Sequence, residues 1–279
     1  MPWLATLRLD YTRDPSNPDR TVARHRHEGP LRILQSLYPE GDGVCHNVLV
    51  HPPGGLVGGD VLDIAVNVGP GAHGLVTTPG ATRFYRSQGE VARQLTNITV
   101  GDGARLEWLP LEALCYDACD AENSLRFNLA PDAGLIGWDV TAFGLPHADL
   151  PFLRGRLRQH IEMPGVWLER GAIEATDQRL LDSPLGLAGH RCMASIFLAS
   201  GTALSRIQRE RALDVARAVI DSHELRETAG ATSPDGRLVV LRVLAPVVEP
   251  AMDLLRAVRA AWRAECWSLP ATVPRIWSM

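Results

Sequence analysis

Four groups of side chains in this sequence have the types that perform chemistry, and their spacing decides what each could do. His25 and His27 stand two apart, so a strand would place both imidazoles on one face, an arrangement open to a metal ion. A cupin-type metal barrel uses such a pair. The spaced Glu and later His of that arrangement are missing, and an exposed strand is the preferred reading. Cys115 and Cys119 are four apart and would form a soft metal pair only on a helix, which Pro110 and the Tyr116-Asp117 turn residues do not promise. Gly69-Pro-Gly-Ala-His-Gly74 matches the glycine pattern of dinucleotide sites. The segment after it is strand-like and broken by Pro79-Gly80, so no helix N-terminus is offered to a pyrophosphate, and a hairpin turn is expected. Carboxylates at Glu107, Glu112, Asp117, Asp120, Glu122 and Asp139 crowd the middle of the chain. Pairs of them could exchange protons, although solvated strand edges and turns account for most such residues.

What is missing narrows the classes further. All 28 basic residues are Arg, with no Lys. A P-loop needs a lysine on its phosphates and a Schiff-base enzyme needs a lysine amine, so both are excluded. There is no G-x-S-x-G nucleophile elbow and no H-E-x-x-H or E-x-x-H metal motif. The absence of a reactive constellation argues for a binding or scaffold role and against an enzyme. The alternative is a β-sandwich that binds metal or carbohydrate through His25 and His27 or the central acids. A net charge of −4 shows no footprint for nucleic acid, and no polybasic run suits a membrane surface. No signal peptide or membrane span is expected, and five scattered cysteines read as reduced thiols of a cytoplasmic protein.

The elements that must position these residues are mostly strands. Turn signals at 40–43, 69–71, 101–103 and 131–134 separate short β-like runs, among them Asn47–Val50, Val61–Val68, Leu75–Thr78, Gln94–Val100, Ala104–Leu109, Ser124–Leu129 and Leu135–Phe143. In Val61–Val68 the alternation assigns Leu62, Ile64, Val66 and Val68 to the core face. Leu157–Glu162 and Val166–Ile173 form a predicted hairpin about Pro164-Gly165. Near residue 203 the character changes: a helix is predicted over Leu204–Ser222, a strand over Leu238–Leu244 and a second helix over Glu249–Cys266. The apolar face of the last is Met252, Leu255, Val258, Ala261, Trp262 and Cys266, expected to pack on the sheet rather than to await a partner. The expected fold is mainly β, a two-layer stacked or coiled sheet with a few helices toward the C-terminus. One domain is expected over 1–279, β-rich in 1–202 and mixed in 203–279.

The least ordinary stretch is His51-Pro-Pro-Gly-Gly-Leu-Val-Gly-Gly-Asp60. Glycines this dense imply a backbone path that side chains would block, and Asp60 is either a turn cap or an inward carboxylate. The run Cys45–Asp60 resembles the signature of the urease accessory protein UreD (UreH) family, and Thr77–Ser87 is similar to its next block. The resemblance continues at Leu106–Pro110 with Glu112, at Gly137–Gly144, at Leu168–Arg170, at Arg242–Pro246 and at Pro274–Trp277. It departs from the family at Leu111, Asp139 and Leu145, where Gln, Glu and Arg are frequent.

The resemblance implies a non-catalytic nickel-insertion chaperone with a β-rich stacked fold. Such proteins bind apo-urease and a UreF-type partner, which recruits a UreG-type GTPase, while a UreE-type metallochaperone supplies nickel. GTP hydrolysis belongs to the partner, in keeping with a chain that has no lysine for a P-loop. No tightly bound cofactor is expected. Nickel would pass transiently along acids in the matching blocks, namely Asp60, Glu112, Asp139 and Glu169. Carboxylates suit that task because they exchange ligands faster than thiolate or imidazole clusters. A buried Asp60 would still need a partner, water or a cation.

Overall fold

Period-two alternation is the rule along this chain, and its strands are correspondingly half-buried or sandwiched. The computed structural model describes residues 2–278. The chain opens with β1 (Leu4–Asp14), β2 (Asn17–Glu28), β3 (Arg32–Leu37) and β4 (Cys45–Val50). A coiled region follows: β5 (Val61–Val68), β6 (His73–Thr77), β7 (Thr82–Phe84), β8 (Ala92–Val100), β9 (Arg105–Leu109), β10 (Ala113–Cys115), β11 (Cys119–Leu129) and β12 (Gly134–Phe143). Then come β13 (Gly155–Met163), β14 (Trp167–Glu174), the short α1 (Gln178–Asp182) and β15 (Cys192–Ser200). The last part is α2 (Arg206–Asp221), β16 (Ala229–Asp235), β17 (Leu238–Ala245) and α3 (Val248–Trp267). The predicted mainly β, two-layer stack is the observed one, with 48% strand and 17% helix.

Two sheets face each other. The first has the order β14-β13-β11-β8-β5-β1-β2, and the second runs β16-β17-β15-β12-β9-β6-β4-β3 with β7 and β10 attached to it. Strands β5, β8, β11 and β13 are parallel neighbours in the first sheet, and β6, β9 and β12 in the second. The chain therefore winds between the layers as a coil although no sequence repeat marks the turns. One edge of the coil uses tight turns, with Gly71 and Gly103 at φ +68° and +59° and Asp132 taking the left-handed position in the third. The opposite edge carries the longer connections that contain β7 and β10.

The core face predicted for β5 is the observed one: Leu62, Ile64, Val66 and Val68 are buried between the sheets with Leu7, Leu9, Phe127 and Phe197. The 164–165 hairpin joins β13 to β14, with Val166 N–H donating to the Met163 carbonyl at 2.9 Å. A second apolar layer lies outside the second sheet, where α2 and α3 cover Ile136, Trp138, Val239 and Leu241. Helix α2 opens with a reciprocal cap between Ser205 and Gln208. Helix α3 buries Met252, Leu255, Val258 and Trp262 as predicted and packs on its own sheet. Ala261 and Cys266 are only half-buried, and Arg259 and Arg263 are buried instead. None of the helices described is long and apolar enough to cross a membrane.

Candidate functional site

At one level of the stack the inter-sheet interior turns polar. Backbone register sets Leu62 beside Gln94, Gln94 beside Asn123 and Asn123 beside Gln159 in the first sheet. In the second it sets Asp139 beside Ser195 and Ser195 beside Arg242. Because opposite pairs share a face, all of these point inward once one of them does. They connect: the Thr82 hydroxyl donates to Gln94 Oε1 at 3.4 Å, and Gln94 Nε2 donates to Asn123 Oδ1 at 3.3 Å. Asn123 Nδ2 donates to Asp139 Oδ2 at 2.8 Å, and Gln159 Nε2 and the Thr141 hydroxyl donate to Asp139 Oδ1.

This seam joins two clefts. The first, about 500 Å³, is lined by Asp139, Gln159, Glu169, Met193, Ser195 and Arg242 among others. The second, about 270 Å³, is lined by His51, Thr78, Thr82, Arg83, Gln94 and Trp108 among others. Asn123, 7% exposed, is the link between them. Burial pushes the Asp139 carboxyl up to about 6, with the nearby Glu169 charge adding to the rise and the Thr141, Asn123 and Gln159 hydrogen bonds opposing it. Across the mouth of the first cleft Glu169, on β14, accepts from Arg242, on β17, at 2.7 Å and 3.2 Å.

The four predicted acids do not form one cluster. Asp139 and Glu169 share the first cleft. Asp60 is buried at the start of β5 and accepts from the backbone N–H groups of Trp3 at 3.2 Å and Val57 at 3.0 Å. Those two donors are the partners its burial requires, so the turn-cap reading describes its contacts. Its charge also reaches His51 of the second cleft, whose pKa burial lowers. Glu112 lies on the other side of the second sheet, in a separate cleft with Leu114, Arg191 and Glu249. The alternation in β10 explains this: Ala113 and Cys115 point inward, leaving residues 112 and 114 outside.

Neither the histidine pair nor the cysteine pair stands in a larger cluster of metal-ligating side chains among the described residues. The His25 and His27 rings stack at 5.8 Å on edge strand β2, and His27 Nδ1 lies 3.2 Å from an Arg32 nitrogen. Cys115 and Cys119 flank a tight turn, not a helix, with Ala118 at φ +63°. Contact with Cys119, followed by burial, pushes the Cys115 thiol well above its usual range, so it stays protonated. Among the described residues no group of three or more His, Cys, Asp or Glu is arranged to hold a metal ion. The seam offers carboxylate and amide oxygens, which bind divalent cations weakly and exchange them.

Sequence reasoning missed a buried charge cluster outside the second sheet. Glu107 on β9 accepts from Arg259 Nε at 2.7 Å and from Arg263, and Arg263 also donates to Glu40. Glu40 in turn lies 2.6 Å from His46 Nε2. Burial pushes the Glu107 carboxyl up, but His73, Arg259 and Arg263 outweigh it and hold it at about 2. The carbonyls of Thr272 and Pro270 accept from the two arginines, and Trp277 stacks on Trp138 and donates to Thr77, so the C-terminal segment is strapped across α3. The available signal was the i, i+4 spacing of Arg259 and Arg263 beside the apolar stripe of α3.

A family model described as UreD urease accessory protein matches residues 4–278. The chain is 68% identical to a urease accessory protein UreD of Polaromonas naphthalenivorans and 67% identical to one of Verminephrobacter eiseniae, each over the whole of both chains. It is 51% identical to that of Methylibium petroleiphilum over 99% of each chain. A match along the whole coil, the polar seam and the C-terminal strap means that the chain belongs to the UreD urease accessory protein family.

Proposed function

We propose that this chain is a non-catalytic chaperone of urease maturation that passes nickel, as cargo, along the polar seam between its two sheets. In this reading it acts in the cytoplasm, bound to apo-urease subunits and to UreF-type and UreG-type partners, and GTP is hydrolysed by the UreG-type protein. The observation that carries it is the continuous row Thr82–Gln94–Asn123–Asp139 between the two clefts. A row of amide and carboxylate oxygens inside an apolar sandwich is costly unless it serves something, since each polar group must find a partner there. Oxygen ligands hold a divalent ion loosely enough to release it. Glu169 stands at the mouth of the first cleft; Asp60 does not line the second, although its charge reaches His51 there, and Glu112 lies off the path.

Asn123→Leu tests the path at the link between the two clefts, because it replaces the connecting amide with an apolar group of similar volume. Nickel-dependent activation of apo-urease by the reconstituted complex should fall at least tenfold while the complex still assembles. Undiminished activation with intact assembly would exclude the seam as the route. Asp60→Ala in the same assay reports separately on the second cleft.

A further inference from the structure

We infer that Arg242 is a tethered competitor for the cargo cation, occupying Glu169 when the first cleft is empty and yielding it to a divalent ion that bridges Glu169 and Asp139. This rests on the proposed cation path and adds to it a reason why the ion does not stay.

The geometry has three parts. Glu169 and Arg242 belong to different sheets, on β14 and β17, and both face inward, so their ion pair closes the gap between the layers at the cleft mouth. The two side chains are 34% and 46% exposed. A pair this open is only a few-fold favoured over its separated state, so a divalent ion can displace it. Asp139, on β12, lines the same cleft from the wall that carries Arg242, opposite Glu169, and is held by amide and hydroxyl donors rather than by an arginine. Its charge and that of Glu169 act on each other, which is the electrostatic condition for a shared cation.

The guanidinium also has somewhere to go. Gly230 is its direct neighbour on β16, and nothing lies within 4 Å of where a Cβ of Gly230 would stand. The same is true of Gly171, beside Gln159 on the facing strand. Arg242 can therefore swing aside within the cleft without moving backbone. As the ion leaves, the guanidinium re-forms the pair, which prevents the two carboxylates from recapturing it.

The test is calorimetric titration of the full chain with nickel chloride at pH 7.5, together with release of the ion to a chelator followed by stopped flow. Removing the competitor in Arg242→Gln should tighten nickel binding about three- to sixfold, the factor by which an exposed pair is formed, and slow release by a similar factor. Arg242→Lys, which keeps the charge, should remain near the parent. In a Glu169→Gln background the Arg242→Gln effect should vanish, because there is no carboxylate left to compete for. Unchanged or weaker binding in Arg242→Gln, with binding still lost in Asp139→Asn, would overturn the competitor and leave the path standing. Equal, negligible binding by the parent and by Asp139→Asn would overturn the path and the competitor together. A far-ultraviolet dichroism spectrum matching that of the parent and a single cooperative thermal transition confirm that each variant is folded.

Discussion

The charge cluster beneath α3 makes a quantitative demand on stability. Glu107 is fully buried and is the one carboxylate shared by Arg259 and Arg263, which are themselves 1% and 0% exposed. Glu107→Gln keeps the shape and removes the charge, leaving two buried guanidiniums with only Glu40 between them. Breaking a buried pair from one side costs roughly 3–5 kcal/mol. The shift of the carboxyl from 4.5 to about 2 gives an independent figure. At roughly 1.36 kcal/mol per unit it amounts to about 3 kcal/mol. Because the folded pKa is the lower one, this stabilisation is present in full above the unfolded value and is lost as pH falls toward 2. Urea denaturation at pH 7.5, followed by tryptophan fluorescence and far-ultraviolet circular dichroism, should therefore show a loss of about 3 kcal/mol in Glu107→Gln. By pH 3 the difference should fall to roughly half. A loss below about 1 kcal/mol at pH 7.5, or a difference that does not shrink in acid, would refute the assignment of this cluster as a paired, charge-neutral network.

Asp139 should behave in the opposite sense. Its folded pKa is raised from 3.8 to about 6, so ionisation works against the fold as pH rises through that interval. Asp139→Asn is expected to be more stable than the parent by up to about 3 kcal/mol at pH 7.5, and close to it at pH 3, below the unfolded value, in denaturation at the two pH values. In the glycine-rich segment, a Cβ at Gly55 would stand 2.3 Å from Tyr85 Cε2 and 2.8 Å from the Arg83 carbonyl. Gly55→Ala should cost about 1–3 kcal/mol and change the near-ultraviolet dichroism of the Tyr85–Tyr116 pair, whose rings lie 4.9 Å apart; an unperturbed spectrum would contradict the close approach.

Much of the scaffold could be read from local pattern. Alternation in Val61–Val68 located the core face of β5, and the Pro164-Gly165 turn located a hairpin, because both signals lie within one element or one loop. The helices at 206–221 and 248–267 fall within two residues of their predicted bounds for the same reason. Arg259 and Arg263 are positions that local pattern does not reveal. Hydropathy places arginine at the surface, and only the arrival of Glu107, more than 150 positions earlier in the chain, makes their burial tolerable.

By itself the amino-acid sequence determined the fold class, the exclusion of P-loop and Schiff-base chemistry through the absence of lysine, and the resemblance carried by residues 45–60 and 77–87. Only the tertiary structure decided which polar residues act together. Gln94, Asn123, Asp139 and Gln159 sit on four different strands, and taken one at a time each is an ordinary polar position in an alternating pattern. Strand register aligns them at one level, and a slip of one residue in any strand would turn its member of the row away from the interior. The separation of Glu112 from the other acids has the same cause, since the side of the sheet it occupies depends on the pairing of β10 with β12 and β7.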